Sequence, residues 1–384
     1  MQMVHSRFNA LLSACVLSLI ATVAWSQPLT WLGTLPGYDR SSEAWGVSNN
    51  GVVVGRAYNA AGQYRAFRWT AAGGMQDLGT LGGINSGACA VSANGAVVVG
   101  LADTVSHWHA FRWTASSGRM DDLGHLGGNL SWAFAVSANG AVVVGEAADA
   151  GLQFRAFRWT AWGGMQNLGT LPGGNRSAAR GVSADGAVVV GSALNAAGQW
   201  RAFRWQNGVM QDLGTLGGNW SVAYGVSADG SVVVGSALNA AGQARAFRWQ
   251  NGVMRDLGTL PGYVHSYAHD VSADGSVVVG AAHDGAGLNR AFRWTVSGGM
   301  EDLNTTYASW MTDGSVLWCA VAISPDGRYI VGWGYNVATN RTEAFLLDTQ
   351  GTPPCTLDGD LNGDRVVDDA DLLILLFNFG NRCP

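Results

Sequence analysis

One unit repeats seven times in this chain, and a unit that recurs at a fixed interval leaves few folds open. Its opening has the form Ala-x-Gly/Ala-Val-Ser-x-Asn/Asp-Gly, with the Val or Ile at Val47, Val91, Val136, Val182, Val226, Val271 and Ile323, in steps of 44, 45, 46, 44, 45 and 52 residues. The fifth copy reads Ala223 to Gly230, then Ser231-Val-Val-Val-Gly, then Arg245-Ala-Phe-Arg-Trp, then Val253-Met-Arg-Asp-Leu-Gly-Thr-Leu. These are four β-branched or aromatic runs too short for helices. Asn-Gly or Asp-Gly stands between the first two runs of every copy, the pair that suits a tight two-residue hairpin. Each unit is therefore expected to be a four-stranded antiparallel meander, and about 45 residues with four strands fits a propeller blade.

The chain ends bear on ring closure. The seventh copy stops after Glu343 to Asp348 without a fourth run, while Leu29 to Leu35 is a fourth run with no blade before it. Together they complete one blade and remove two open sheet edges. The expected fold is all-β: a seven-bladed β-propeller over residues 27–349, its last blade completed by the N-terminal strand. The high glycine count, 55 of 384, and the low charged fraction, 13%, follow from many turns and doubly buried strands.

Charge excludes several function classes. The basic residues are all Arg, so no Schiff-base or phosphate-loop lysine exists, and a net charge of −5 disfavours nucleic acid as a partner. Residues 27–354 are nearly neutral, with 19 Arg against 21 Asp plus Glu. Eleven Arg fall in the third runs opposite Asp77, Asp122, Asp212, Asp256 and Asp302 of the fourth runs, so charge pairing inside each blade is expected. Trp69, Trp113, Trp159, Trp205, Trp249 and Trp294 recur once per blade and are expected to pack between sheets.

Residues 1–26 carry one positive charge, an apolar stretch from Leu11 to Val23, and Ala24-Trp25-Ser26 before Gln27. They form a secretory signal peptide, too short in its apolar part to span a bilayer, and no transmembrane segment is expected after its removal. The mature protein is expected to be secreted or held at the cell surface.

The repeats Arg-Ala-Phe-Arg-Trp, His109 to Trp113 and Asp-Leu-Gly-Thr-Leu-Gly-Gly resemble the extracellular HAF-type repeats of bacterial surface and secreted proteins, and the Val-Val-Val-Gly strand is similar to kelch blades. That resemblance implies export and a repeat fold, and carries no assigned chemistry.

A structural role must be met in every blade, whereas a site need occur once. The variable residue before each Gly/Ala-Val-Ser is Trp45, Cys89, Phe134, Arg180, Tyr224, His269 or Val321, with Trp132, Trp220, Tyr267, Arg176 and His265 nearby. Trp45, Trp132, Phe134, Arg180, Tyr224 and His269 are the candidate ligand-binding residues, expected on the propeller rim that carries the variable loops. Aromatic faces beside Arg and His suit sugar rings or peptide side chains, so a carbohydrate or a protein is the expected ligand; packing between blades is the alternative. Glu43, Glu146, Asp103, Asp149, Asp270 and Asp284 are expected in or near the same loops, which leaves a polysaccharide-acting enzyme open beside a purely structural envelope protein. No Gly-x-Ser-x-Gly, His-Glu-x-x-His or Cys/His ligand spacing occurs, and a non-enzymatic binding scaffold is the first expectation.

After a linker at 350–354 the composition turns acidic: residues 355–383 hold six Asp and two Arg. Asp360, Asn362, Asp364, Val366 (through its carbonyl), Asp368 and Asp371 fall at positions 1, 3, 5, 7, 9 and 12 of a calcium loop, hard oxygen donors that suit Ca²⁺. With Leu372-Leu373 following, the segment is similar to one repeat of a type I dockerin, although Arg365 replaces the usual Gly and dockerins carry two repeats. The resemblance implies a cohesin-like or cell-surface partner. A module this small needs a metal or a cross-link, so a disulfide between Cys355 and Cys383, which bracket residues 355–384, is expected. Cys89 and Cys319 belong to non-adjacent blades and are expected to be free.

Overall fold

A computed structural model describes residues 28–351. The expected signal peptide, the expected calcium loop with its six ligand positions, and Cys355 and Cys383 with their expected disulfide all lie outside the described residues.

Seven four-stranded antiparallel sheets follow one another along the chain, each a simple meander. Blade five is representative: Gly217–Val226 innermost, then Val232–Asn239, Ala244–Gln250 and Val253–Asp256. The sheet of blade seven takes Val316–Ile323, Tyr329–Asn336 and Arg341–Asp348, and its outer position is filled by Leu29–Trp31. Leu29 pairs with Leu347 and Trp31 with Phe345, so the N-terminal strand closes the ring as expected. The long step before the seventh copy holds a helical turn at Leu303–Thr306, whose Leu303 is wholly buried against blades six and seven.

The Asn/Asp-Gly pairs are turns, but not the two-residue hairpins expected. Gly51 has φ +72° and donates its N–H to the Ser48 carbonyl, whereas Asn50 stays at negative φ. This is a type I turn with a glycine bulge, and the side chain of the Asn or Asp is what secures it. Asp185, for instance, accepts from the Ser183 hydroxyl at 2.6 Å and the Ala187 N–H at 2.9 Å, and these bonds hold its carboxyl below the usual range. True two-residue turns join the third and fourth strands at Asn207-Gly208 and Asn251-Gly252, where both residues have positive φ.

Each of seven apolar clusters spans two neighbouring blades. The deepest rings are the phenylalanines of the third strands: Phe67, Phe111, Phe157, Phe203, Phe247, Phe292 and Phe345 are all 0% exposed. The tryptophans two residues on share these interfaces from their margin, Trp113, Trp205 and Trp249 buried and Trp69, Trp159 and Trp294 half-buried. The glycine closing each Val-Val-Val-Gly run is forced by close approach. A Cβ at Gly235 would lie 2.0 Å from the Val222 carbonyl oxygen and 2.9 Å from the Phe247 ring.

Charge pairing divides between two tasks. The first Arg of the motif meets the fourth-strand Asp, as in Arg201–Asp212 and Arg245–Asp256 at 3.8 Å, and His109 takes that place against Asp122 at 2.7 Å. The second Arg departs from the expectation of pairing inside the blade. Arg158, Arg204 and Arg248 reach across to the turn carbonyls of Gly186, Gly230 and Gly275 in the next blade, at 3.0, 3.0 and 3.2 Å. A buried serine adds a second inter-blade tie. Ser221 Oγ donates to the Gly214 carbonyl at 2.6 Å and accepts from the Ala202 N–H of the preceding blade at 2.9 Å. Among the described residues no helix is long and apolar enough to cross a membrane.

Candidate functional site

The innermost strands of all seven blades surround one cavity of about 1060 Å³. At one end it is bounded by the tight turns, which are stitched into a ring. The Asn49 N–H donates to the Ala93 carbonyl, Ala93 to Ala138, Ala138 to Ala184, Ala184 to Ala228, Ala228 to Ala273 and Ala273 to Pro325, at 2.9 to 3.2 Å. Pro325 has no N–H to continue the series. The Asp326 N–H closes the circle onto the Asn49 side-chain oxygen instead, at 3.0 Å.

Trp45, Trp132, Phe134, Arg180, Tyr224 and His269 all line this cavity, together with Cys89 and Val321. They stand on innermost strands and not on the rim loops, and the reason is local. In all seven blades a register shift occurs at this residue, as between Ala44 and Gly46, Ala223 and Gly225 or Ala320 and Ala322. A bulged residue leaves the ladder, so its side chain is free to turn toward the axis. Trp220, Tyr267, Arg176 and His265 do not line it: Tyr267 packs edge-on against His283, and His265 Nδ1 accepts the Ala244 N–H at 3.2 Å.

A second tier of wall residues had no part in the sequence expectations. The residue after the glycine of each second strand pairs across to the innermost strand, giving Glu43–Arg56, Gly87–Leu101, Trp132–Glu146, Ala178–Ser192, Val222–Ser236, Tyr267–Ala281 and Cys319–Trp333, and of these second-strand residues Arg56, Leu101, Glu146, Ala281 and Trp333 line the cavity. Seven equivalent places hold seven different pairs. The signal was present in the sequence as a variable residue directly after an invariant glycine.

Charges are unevenly spread around the wall. Arg56 is saturated: it lies 3.0 Å from Glu43, and its guanidinium sits 5.0 Å from the Trp45 ring and 5.3 Å from the Tyr58 ring. Burial is the largest single influence and works against its charge, but Glu43 and Tyr58 together outweigh it and raise its pKa. Arg180 differs. Its guanidinium lies between Phe134 and Tyr224, 5.3 and 5.7 Å from the ring centres, with no ion pair among the described residues and a buried Nε without a partner. Glu146 is 7% exposed, and its nearest cation is Arg176 at 3.8 Å. Burial pushes the Glu146 carboxyl up, opposed by Arg180 and Arg176.

The other carboxylates are already engaged by their own backbone. Asp103 accepts from the Asn85 N–H at 2.7 Å, Asp149 from Gly151 and Gln153, and Asp284 from Ala286 and Leu288. Asp270 accepts the Val271 and Ile323 N–H groups at 2.8 and 3.0 Å, and burial raises its pKa to about 6. Cys319 Sγ lies 3.5 Å from His269 Nδ1, but burial pushes this thiol up to about 12 and lowers the imidazole, whose Nδ1 is 3.0 Å from the Ala320 carbonyl. The pair is a thiol beside a neutral ring at neutral pH, not an activated nucleophile. Cys89 and Cys319 are both free.

No family model matches the sequence, and no curated protein matches it. Among solved structures, the β-propeller domain of the Trilobed protease from Pyrococcus furiosus is similar at 10% identity over 80% of this chain and 96% of its own, with a TM-score of 0.52. That domain is described as having an open velcro topology. A structure from a study of two prolyl endopeptidases is similar at 12% identity over 83% of this chain and 51% of its own, with a TM-score of 0.53. A putative TolB from Agrobacterium tumefaciens matches at 15% identity over 67% of this chain and 88% of its own, at a TM-score of 0.45. What the two structures with TM-scores of 0.52 and 0.53 share with this chain is the β-propeller fold.

Proposed function

We propose that this protein is an exported, non-enzymatic binding scaffold: a propeller of HAF-type repeats whose central cavity takes up a carbohydrate or protein ligand, tethered through a calcium-dependent, dockerin-like tail. One observation carries the binding reading. Twelve cavity-lining residues at two symmetry-equivalent places, the seven at the bulges and five of those after the glycines, hold almost no repetition, although the blades around them are nearly copies of one another. Packing would have been satisfied by repetition; recognition of one asymmetric molecule requires difference.

Non-enzymatic binding is favoured over polysaccharide hydrolysis because hydrolysis needs two carboxyl groups placed to exchange protons and water. Among the described wall residues only Glu146 offers a carboxylate that its own backbone does not engage. The signal peptide at 1–26 supports export to the cell surface or beyond. Asp360, Asn362, Asp364, Val366, Asp368 and Asp371 supply the oxygen donors for calcium, and a Cys355–Cys383 disulfide would brace the same module for a cell-surface or cohesin-like partner.

Isothermal titration of the full mature chain with CaCl₂ is expected to give one saturable site, abolished in Asp360→Ala. A glycan array at saturating calcium is then expected to show binding that Tyr224→Ala removes. Absence of calcium heat would remove the tether. A silent array with no peptide binding would leave a structural envelope role.

A further inference from the structure

The wall sector formed by blades three to five has a chemistry the remaining wall lacks. Arg occupies the bulge position only in blade four, and the rings on either side of Arg180 are the equivalent residues of the flanking blades, Phe134 and Tyr224. Ring faces hold the guanidinium plane but take up none of its five N–H donors. Among the described residues no acceptor bonds to Arg180, and its buried Nε has none. Arg56, the other cavity-lining Arg, has both its rings and its carboxylate.

Glu146 poses the converse problem. It is more than nine-tenths buried on the same wall, has no hydrogen-bond donor among the described residues, and shares only a 3.8 Å contact with Arg176. Arg176 is itself placed by the Phe154 and Trp200 rings, at 4.9 and 5.6 Å. The sector thus sets two guanidinium groups against one carboxylate. It lacks one negative charge, and it lacks donors for a buried acceptor.

We infer that this sector is a subsite for an acidic sugar residue, with Arg180 receiving the sugar carboxylate and Glu146 accepting its hydroxyl groups. A single small unit must bring an anion and several O–H donors together, and a uronic acid ring does so. A peptide carboxylate brings the anion without the hydroxyls. Trp132, stacked on Phe154 at 5.0 Å and bordering the cavity beside Glu146, adds an aromatic wall against which a pyranose can lie. This inference rests on the cavity being the binding site and specifies what enters it.

The test titrates the full mature chain with the tetramer of galacturonic acid, with its methyl ester, which keeps the rings and loses the charges, and with tetraglutamate. The acid is expected to bind roughly tenfold or more tightly than the ester, the size of a lost charge-assisted contact. Arg180→Met, which keeps an apolar stem between the two rings, is expected to bring the acid down to the ester's affinity with unchanged circular dichroism and melting. Glu146→Gln is expected to weaken acid and ester alike. Equal binding of acid and ester by the wild type, or an unchanged preference in Arg180→Met, would overturn the acidic subsite while leaving a sugar-binding cavity. Binding of tetraglutamate in place of the sugars would overturn it and leave a protein ligand. Binding of none of the three would overturn it together with the cavity reading unless the glycan array shows another, neutral sugar.

Discussion

The interfaces between blades and the wall of the cavity are built by the same strands and follow opposite rules. In blade five, Phe247 points into a sheet interface and has a Phe counterpart in every other blade, all equally buried. Tyr224, on the innermost strand of the same sheet, has no Tyr counterpart anywhere in the ring. An interface must meet the same neighbour seven times, so its residues converge. The cavity is met once by whatever enters it, so its residues are free to diverge, and the divergence is concentrated where bulges turn side chains to the axis.

The sharpest way to break this comparison is to truncate one residue on each side of it within that blade. Phe247→Ala is expected to cost about 3–5 kcal/mol, the usual range for a large buried ring whose site cannot collapse. Tyr224→Ala is expected to stay within about 1 kcal/mol of wild type while abolishing ligand binding. Urea unfolding of the two variants beside the glycan array reads both axes. A Tyr224→Ala protein as unstable as Phe247→Ala would place the cavity wall among the packing residues after all.

Much of this contrast could be read from the sequence. Period, turn positions and ring closure depend on residues that recur, and recurrence is visible without coordinates; Leu29–Trp31 completing blade seven followed from counting runs. The direction of the variable side chains did not follow. Whether Trp45 faces the rim or the axis is decided by a one-residue bulge between Ala44 and Gly46, which leaves no signature in residue type. The ring of turn amides was equally hidden, because backbone groups make it and its only sequence trace is the exception, Pro325 answered by Asn49. The second Arg of the motif was misassigned for a related reason: cross-strand pairing inside a blade is a local rule, and Arg204 answers to the neighbouring blade's Gly230.

A smaller effect is expected from the inter-blade serine, which belongs to the repeated layer although it is polar. Ser221→Ala leaves the N–H of Ala202, a residue 0% exposed, without its partner, while the Gly214 carbonyl it also frees belongs to an exposed residue that water can reach. A loss of about 1–3 kcal/mol is expected, with ligand affinity unchanged. Blade seven has no such serine, and Asn304 bonds the Leu317 backbone from the helical insertion instead. Denaturation of Ser221→Ala with wild-type stability would mean that water enters these interfaces.

The smallest effect tests the one place where the two layers collide. Position 270 corresponds to Gly46, Ala90, Ala135, Gly181, Gly225 and Ala322, small residues because neighbouring innermost strands approach closely there, as the 3.0 Å from a Gly225 Cβ to the Asp270 Cα illustrates. Asp270 puts a carboxyl into this seat, and burial raises its pKa from 3.8 to about 6 despite two backbone N–H donors. The folded state therefore holds the proton more tightly than the unfolded chain does, so stability falls as pH rises from about 4 to about 6 and stays lower above it. Asp270→Asn keeps an acceptor for the Ile323 N–H and cannot ionise. Its melting temperature is expected to exceed that of wild type at pH 8 and to converge with it near pH 4. A constant difference across that range would show that Asp270 is ionised in the fold at every pH, held by its N–H donors more strongly than burial opposes it. The carboxylate would then belong with the ties that join blade six to blade seven, and the seat it occupies would be part of the repeated layer.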